Sequence, residues 1–255
     1  MSIAIPGEPP LVLDLGTGLR YFGLTCDPNE RFTGTALLTH LHWDHTQGLP
    51  FFVPIMREGS TLDVYGPVQE DGRTLHDLFG DLIRPPQFPL AIDEYVGTVR
   101  FHDVESTDFT VGSIDVKVRP VPHIGPTVGY RITWRGVSVA YVPDHQQPYF
   151  DGVEAVTTDA VRELVSGVDL LIHDAQYTQA DFARKPRWGH CTYQYAVALA
   201  ASAGVKRLAL YHHDPCRNDD QMDRIEHEAI DLAGSRGLEV FAARERLTVA
   251  LTPES

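Results

Sequence analysis

The amino-acid sequence predicts a mixed α/β fold in which two sheets pack face to face with helices outside. Three features carry that prediction. Short apolar runs near the start stop in glycine turns, as buried strands do; residues 99–142 alternate apolar and polar in period two; and beyond residue 157 apolar strands alternate with helix-length segments.

Leu11–Asp14 reads as a buried strand ending at Gly16-Thr17-Gly18, and Thr35–Thr39 as a second. Residues 46–56 should hold a short helix and a loop, followed by a strand at Leu62–Tyr65 closed by Gly66-Pro67. Leu75, Leu78, Leu82 and Ile83 recur at helical spacing, so the sequence predicts a helix over 68–84. Strands follow at Val99–Phe101, Phe109–Val111, Ile114–Val118, Gly129–Trp134 and Val137–Val142, with Arg135-Gly136 as the hairpin turn between the last two. The remainder reads as a helix near 157–165, a strand at Leu170–Ile172, a helix near 192–203, a strand at Arg207–Tyr211, a helix near 219–235, and closing strands near 238–241 and 247–251. No repeat, low-complexity tract or linker interrupts the pattern. The 255 residues, 43% of them hydrophobic, suffice for one substantial core, so a single domain over 1–255 is expected.

Composition narrows the partners. The 21 Lys and Arg residues against 35 Asp and Glu give a formal charge of −14, which repels polyanions at long range and disfavours a large nucleic-acid partner. Cys26, Cys191 and Cys216 are odd in number, scattered and without a C-x-x-C pair, which fits a reducing compartment and gives no disulfide framework. The first ten residues lack a signal peptide's basic and apolar regions, and no segment approaches the ~20 apolar residues of a membrane span. A soluble cytoplasmic protein with no membrane partner is the expectation.

The chemistry concentrates in His40-Leu41-His42-Trp43-Asp44-His45, where four metal-binding side chains fall within six residues at the end of an apolar strand. Histidines two apart on an extended segment point the same way and can share one ion, while a following Asp-His pair in a turn can reach a neighbouring one. Nitrogen and carboxylate ligands suit Zn²⁺, Mn²⁺ or Fe²⁺. A second ion needs more ligands, and His123, Asp144 and His212 each stand just beyond a predicted strand, where α/β sheets carry their sites. His213 rivals His212, and His145 also lies beside a candidate; neighbours along a strand point oppositely, so one of each pair should face the ions.

The order H-x-H-x-D-H, a lone His, a lone Asp and a final His after a strand resembles the metallo-β-lactamase superfamily. The resemblance covers residues 11 to 250 and implies a four-layer αββα sandwich. Carried over by position, it places His40, His42 and His123 on one ion, Asp44, His45 and His212 on a second, and Asp144 between them. It implies two divalent ions, Zn²⁺ foremost, and a dinuclear-metal-bound hydroxide as nucleophile, held in line by Asp44 and Asp144. The Asp14-Leu15-Gly16 turn resembles the family's Asp-x-Gly element, a structural support from which Asp14 can brace a ligating histidine.

Two further elements, His173-Asp174-Ala175-Gln176 and Gly189-His190-Cys191-Thr192, resemble the His-Glu-Ala-Thr and His-Ser-Thr motifs of the phosphodiesterase branch, which includes ribonuclease Z and cyclic phosphodiesterases. The resemblance makes His190 the residue that contacts phosphate or protonates the leaving oxygen, oriented by Asp174. Aspartate stands where the branch usually has glutamate, one methylene shorter. Ribonuclease Z activity would call for a basic protruding arm, and the sequence has no Gly/Pro/Lys-rich insertion, so a small phosphodiester such as a cyclic nucleotide or cyclic sugar phosphate fits better. Arg84, Arg184, Lys185 and Arg187 lie near the proposed site loops, where a solvated surface role competes with a phosphate contact. Lactone, thioester or sulfate-ester hydrolysis is the alternative on the same fold, and a non-catalytic, metal-stabilised binding or sensory protein is the second. Relatives in the branch are often dimers, which implies a homodimer.

Overall fold

A computed structural model describes residues 1–149, 157–235 and 237–253. The chain divides into two compact units, Met1–Glu105 and Ser106–Ser255, each built on its own sheet.

In the first unit, β1 (Ser2–Ile3), β2 (Leu11–Leu13), β3 (Thr33–Leu37), β4 (Thr61–Pro67) and β5 (Thr98–Val104) lie side by side in chain order. β1 and β2 pair antiparallel and the other neighbours parallel. The helical segments are α1 (Gly18–Gly23), α2 (Trp43–Thr46), two 3-10 turns over Leu49–Phe51 and Val53–Met56, and α3 (Leu75–Leu82). Val12, Ala36, Leu62 and Val64 from the strands form a core with Leu19, Leu49, Phe52, Ile55 and Phe79. Burying each such large apolar side chain contributes about 1.5–3 kcal/mol.

Two expectations change here. The helix over 68–84 begins only at Leu75, because the Thr74 hydroxyl accepts from the Asp77 N–H while the Asp77 carboxylate accepts from the Thr74 N–H, a reciprocal cap that marks the first turn. The short helix expected after the histidine cluster starts inside it, at Trp43, and 3-10 turns take over from Leu49.

In the second unit, β6 (Asp108–Val111), β7 (Ile114–Pro120), β8 (Val128–Trp134) and β9 (Val137–Val142) form an antiparallel meander. The sheet continues in parallel through β10 (Leu170–Asp174), β11 (Arg207–Tyr211) and β12 (Glu239–Ala242). β10 is buried along its whole length, as its unbroken apolar start requires. The helices α4 (Asp159–Val165), α5 (Gln179–Arg184), α6 (Tyr193–Ser202) and α7 (Asp219–Ala233) each start at a Thr or Asn whose side chain accepts from the backbone N–H three residues on. Leu164, Val197, Ala200, Ile225 and Ala229 from these helices pack with Ala140, Val142, Leu171 and Leu208 from the strands.

The strand expected at 247–251 does not form. The chain turns at Arg244–Leu247, Leu247 is left exposed, and among the described residues β12 is the last strand. Conversely, α5 was not foreseen, although Thr178 and Asp181 carry the same reciprocal cap as α3.

Backbone meets backbone where the histidine cluster begins. The Leu15 N–H donates to the His45 carbonyl at 2.8 Å and the Gly48 N–H to the Leu15 carbonyl at 2.7 Å. A Cβ at Gly48 would stand 1.9 Å from the Gly16 carbonyl oxygen, and one at Gly16 2.2 Å from that of Asp44. Both glycines are therefore required by close approach. Gly48→Ala and Gly16→Ala should each cost about 1–3 kcal/mol of stability, as overpacking does, read from the midpoint of denaturant unfolding. A loss under about 0.5 kcal/mol, the range of ordinary surface changes, would show that the two segments separate freely.

Candidate metal centre

In the first unit, His40, His42 and His45 gather around the end of β3. The His40 ring centroid lies 4.4 Å from that of His42 and 4.2 Å from that of His45. The turn after β2 supplies the brace. Asp14, in the left-handed region at φ 57°, accepts from the Thr39 N–H at 2.7 Å through one carboxylate oxygen and faces His45 Nδ1 at 2.8 Å through the other. Burial pushes the Asp14 carboxyl up, yet His45 and the Thr39 bonds outweigh it and hold the group below its ordinary value. With Nδ1 donating to that carboxylate, His45 keeps its lone pair on Nε2, which lies 3.2 Å from Asp44 Oδ2. His40 Nδ1 is likewise engaged, 3.0 Å from the Thr39 hydroxyl.

In the second unit, parallel register does the positioning. Val142 of β9 pairs with His173 of β10, and Asp174 of β10 with Tyr211 of β11, so Asp144, Asp174 and His212 come from adjacent strand ends on one edge of the sheet. Asp144, 2% exposed, presents Oδ1 at 3.3 Å from His212 Nε2, 3.8 Å from His123 Nε2 and 3.7 Å from His190 Nδ1. Donor atoms of His123, Asp144 and His190 all lie within 4.8 Å of one another.

Each ring is turned by an outer partner. His123 Nδ1 donates to the Gly189 carbonyl at 2.6 Å. Gly189 has φ 93°, and a Cβ there would sit 2.5 Å from the His123 ring. His190 Nδ1 meets Asp174 Oδ2 at 2.8 Å, so the shorter aspartate still reaches. Asp174 is fully buried and also accepts the backbone N–H groups of His145 and Gln176. The two motif segments are laced together: Tyr177 N–H donates to Cys191 O, and Tyr193 N–H to Tyr177 O.

The rivals resolve by their partners. His213 Nε2 lies 2.9 Å from the Ala243 carbonyl, and burial lowers its pKa. His145 is fully buried, its Nδ1 3.0 Å from His173 Nε2, and burial holds it well below the ordinary histidine value. His212 faces Asp144 instead. Cys191 packs with its Sγ 2.9 Å from the Asp174 carbonyl, and burial drives its thiol well up, so it is no nucleophile.

The residues present fit a divalent cation. Ligand atoms held at ~2.0–2.2 Å in tetrahedral array are about 3.4 Å apart, close to the spacing of Asp144 and His212, and the engaged Nδ1 atoms leave Nε2 for an ion.

Sequence reasoning missed the group behind His212. The Gln176 amide nitrogen Nε2 lies 2.8 Å from His212 Nδ1 and in that orientation donates to it, Arg217 donates to the Gln176 carbonyl, and its other terminal nitrogen meets Asp181 Oδ2 at 2.5 Å. Only with the amide oxygen turned to the ring does Nδ1 donate and Nε2 keep its lone pair. Of the surface cations, Arg84 pairs with Asp81 at 2.9 Å, Arg184 with Asp181 at 2.7 Å, and Lys185 approaches Asp214 at 3.8 Å.

Comparison with known proteins identifies the family and the fold. A family model described as a beta-lactamase superfamily domain matches residues 29–213. The ribonuclease Z of Synechococcus sp. strain CC9311 is 28% identical over 262 residues, covering 84% of this chain and 81% of that protein. The crystal structure of human tRNase Z, short form, superposes with a TM-score of 0.70 at 20% identity, covering 98% of this chain and 91% of that one. Zn²⁺-bound PqqB from Methylobacterium extorquens gives a TM-score of 0.70 at 21% identity, covering 98% and 86%. Among the described residues, no helix is long and apolar enough to cross a membrane.

Gln176→Ala should weaken Zn²⁺ binding roughly tenfold, in the range of outer-partner substitutions, measured by competition with a chromophoric chelator; Gln176→Glu should restore it. Equal affinity in all three proteins would remove Gln176 from the orientation of His212.

Proposed function

The chain belongs to the metallo-β-lactamase superfamily, and on that premise we propose that it falls in the phosphodiesterase branch and hydrolyses a small phosphodiester, such as a cyclic nucleotide or a cyclic sugar phosphate. The superfamily is one of metal-dependent hydrolases. The observation that carries the narrower reading is the Asp174–His190 pair. Its 2.8 Å contact occupies Nδ1 and leaves Nε2 of His190 as the nitrogen that can face a substrate.

The proposed ligands are His40, His42 and His123 on one ion, Asp44, His45 and His212 on a second, and Asp144 shared. Zn²⁺, with Mn²⁺ or Fe²⁺ also suited to this donor set, would when bound offset developing negative charge on the phosphoryl oxygens and acidify a water. The chain's own groups do the rest. Asp44 and Asp144 orient the attacking water in line with the scissile bond. His190, acting as the imidazolium, gives its Nε2 proton to the departing alkoxide, and Asp174, accepting from Nδ1, stabilises that charged ring and fixes its orientation. The −14 charge supports a small substrate over a long polyanion, while the ribonuclease Z relatives make RNA the rival outcome.

His190→Ala should lower turnover of bis-(p-nitrophenyl) phosphate by about 10²–10⁴-fold, the usual contribution of a general acid, with bound metal per chain nearly unchanged. Parallel loss of metal would make His190 a ligand instead. After reconstitution with Zn²⁺ or Mn²⁺, cyclic phosphodiesters should be cleaved in preference to a precursor tRNA, a lactone, a thioester and a sulfate ester. Cleavage of lactones but not phosphodiesters would overturn the branch-level reading, and preference for the tRNA would overturn the substrate size.

A further inference from the structure

The segment Arg184-Lys185-Pro186-Arg187-Trp188 puts three cations and an indole directly before Gly189 and His190, in a chain whose formal charge is −14. Trp188 is 62% exposed. Arg187 is exposed as well, and among the described residues it has no ion-pair partner. Lys185 Nζ lies 5.1 Å from the Trp188 ring centroid, within cation–π range. A single exposed indole is no anomaly, but it offers a flat apolar face that a planar ligand can cover. This loop is held. Gln146 donates from Nε2 to the Pro186 carbonyl at 3.0 Å and accepts the Gly189 N–H on Oε1 at 2.9 Å, while the Trp188 N–H donates to Lys185 O at 3.2 Å. Gly189 in turn abuts the His123 ring and holds His123 Nδ1. The same backbone that sets His123 thus presents an exposed indole, with Arg187 beside it in sequence and without an ion pair among the described residues.

We propose that Trp188 is a stacking platform for the base of a mononucleotide and that Arg187 meets its phosphate, so the small phosphodiester is one that carries a nucleobase. The inference rests on the phosphodiesterase reading and deepens it from small diesters at large to nucleotides. Every base offers a π-face, and stacking on an aromatic side chain beside a cation tolerates any of them. A base-free cyclic sugar phosphate would leave the indole uncovered. A nucleotide at the end of an RNA presents the same chemistry, so the two sources are separated by the substrate rather than by the residue.

In the metal-loaded full-length protein, Trp188→Ala should raise the ratio of KM for a nucleoside cyclic phosphate to KM for a base-free cyclic sugar phosphate by about tenfold, within the range of one lost stack, and Trp188→Phe should largely restore it. Arg187→Ala should raise KM for both diesters together. Binding is read independently: in the Trp43→Phe, Trp134→Phe protein, indole fluorescence should be quenched saturably by adenosine monophosphate and not by ribose 5-phosphate. An unchanged KM ratio together with no quenching overturns the platform even if phosphodiesters are cleaved. Quenching without turnover of any diester keeps the nucleotide site and overturns the phosphodiesterase reading. Loss of cleavage of a short oligoribonucleotide in Trp188→Ala, with cyclic nucleotides unaffected, assigns the platform to RNA and overturns the mononucleotide.

Discussion

An imidazole has two nitrogens, and the partner of one decides what the other can do. Five of the candidate histidines have Nδ1 taken up within the protein: the Thr39 hydroxyl holds His40, Asp14 His45, the Gly189 carbonyl His123, Gln176 His212 and Asp174 His190. That constraint restrains the ring and directs Nε2 outward, and where the partner can only accept, as Asp14 and the Gly189 carbonyl do, it also sets the tautomer. It also explains where the rest of the structure is rigid. Asp14 sits in a left-handed turn that Leu15 and Gly16 clamp against residues 44–48, and Asp174 is kept in place by two backbone N–H groups as well as by His190.

The candidate ligands were visible in the sequence because they stand just past short apolar runs, and such strand ends are easy to see. The choice between His212 and His213 was not. Side-chain alternation decides such a pair only while the backbone is extended, and His212 has φ 55°, so the strand has already ended there. The Gln176–Arg217–Asp181 group was invisible for another reason. Arg217 reaches Gln176 across 41 residues, and no local pattern announces a bond of that span. The start of α3 and the existence of α5 are written in the sequence as the reciprocal caps Thr74-x-x-Asp77 and Thr178-x-x-Asp181, a signal that apolar spacing does not carry. At 247–251 alternation alone misled, because period two costs nothing in a segment with no neighbouring strand to pair with.

Charge creates a tension that local structure answers. A chain at −14 repels a phosphodiester at distances beyond ~10 Å only weakly in physiological salt, so the long-range field matters less than the groups a substrate would touch. Among the described residues, many surface cations are already spent on neighbouring carboxylates. Arg119 and Lys117 share Glu163, whose carboxyl they hold down to about 2, and Arg100 binds Asp63 through two nitrogens. What distinguishes the 184–188 segment is its place directly before His190 in the chain, with Arg187 without an ion pair among the described residues.

The two halves of the second sheet deliver their residues by different physics. Parallel strands β9, β10 and β11 end on the same edge, so register alone brings Asp144, Asp174 and His212 together without any special loop. The antiparallel pair β7 and β8 cannot do this for His123, which rides in the connection 121–127, closed by the Val121 N–H donating to Thr127 O at 2.9 Å. A residue on such a loop needs an anchor from elsewhere, and the Gly189 carbonyl supplies it at a distance that excludes any side chain at position 189. The glycine before His190 is therefore a requirement of His123 rather than of His190 itself. One backbone turn orients a proposed ligand, carries the proposed acid and displays an exposed indole, so the positions of all three are coupled through a segment of three residues.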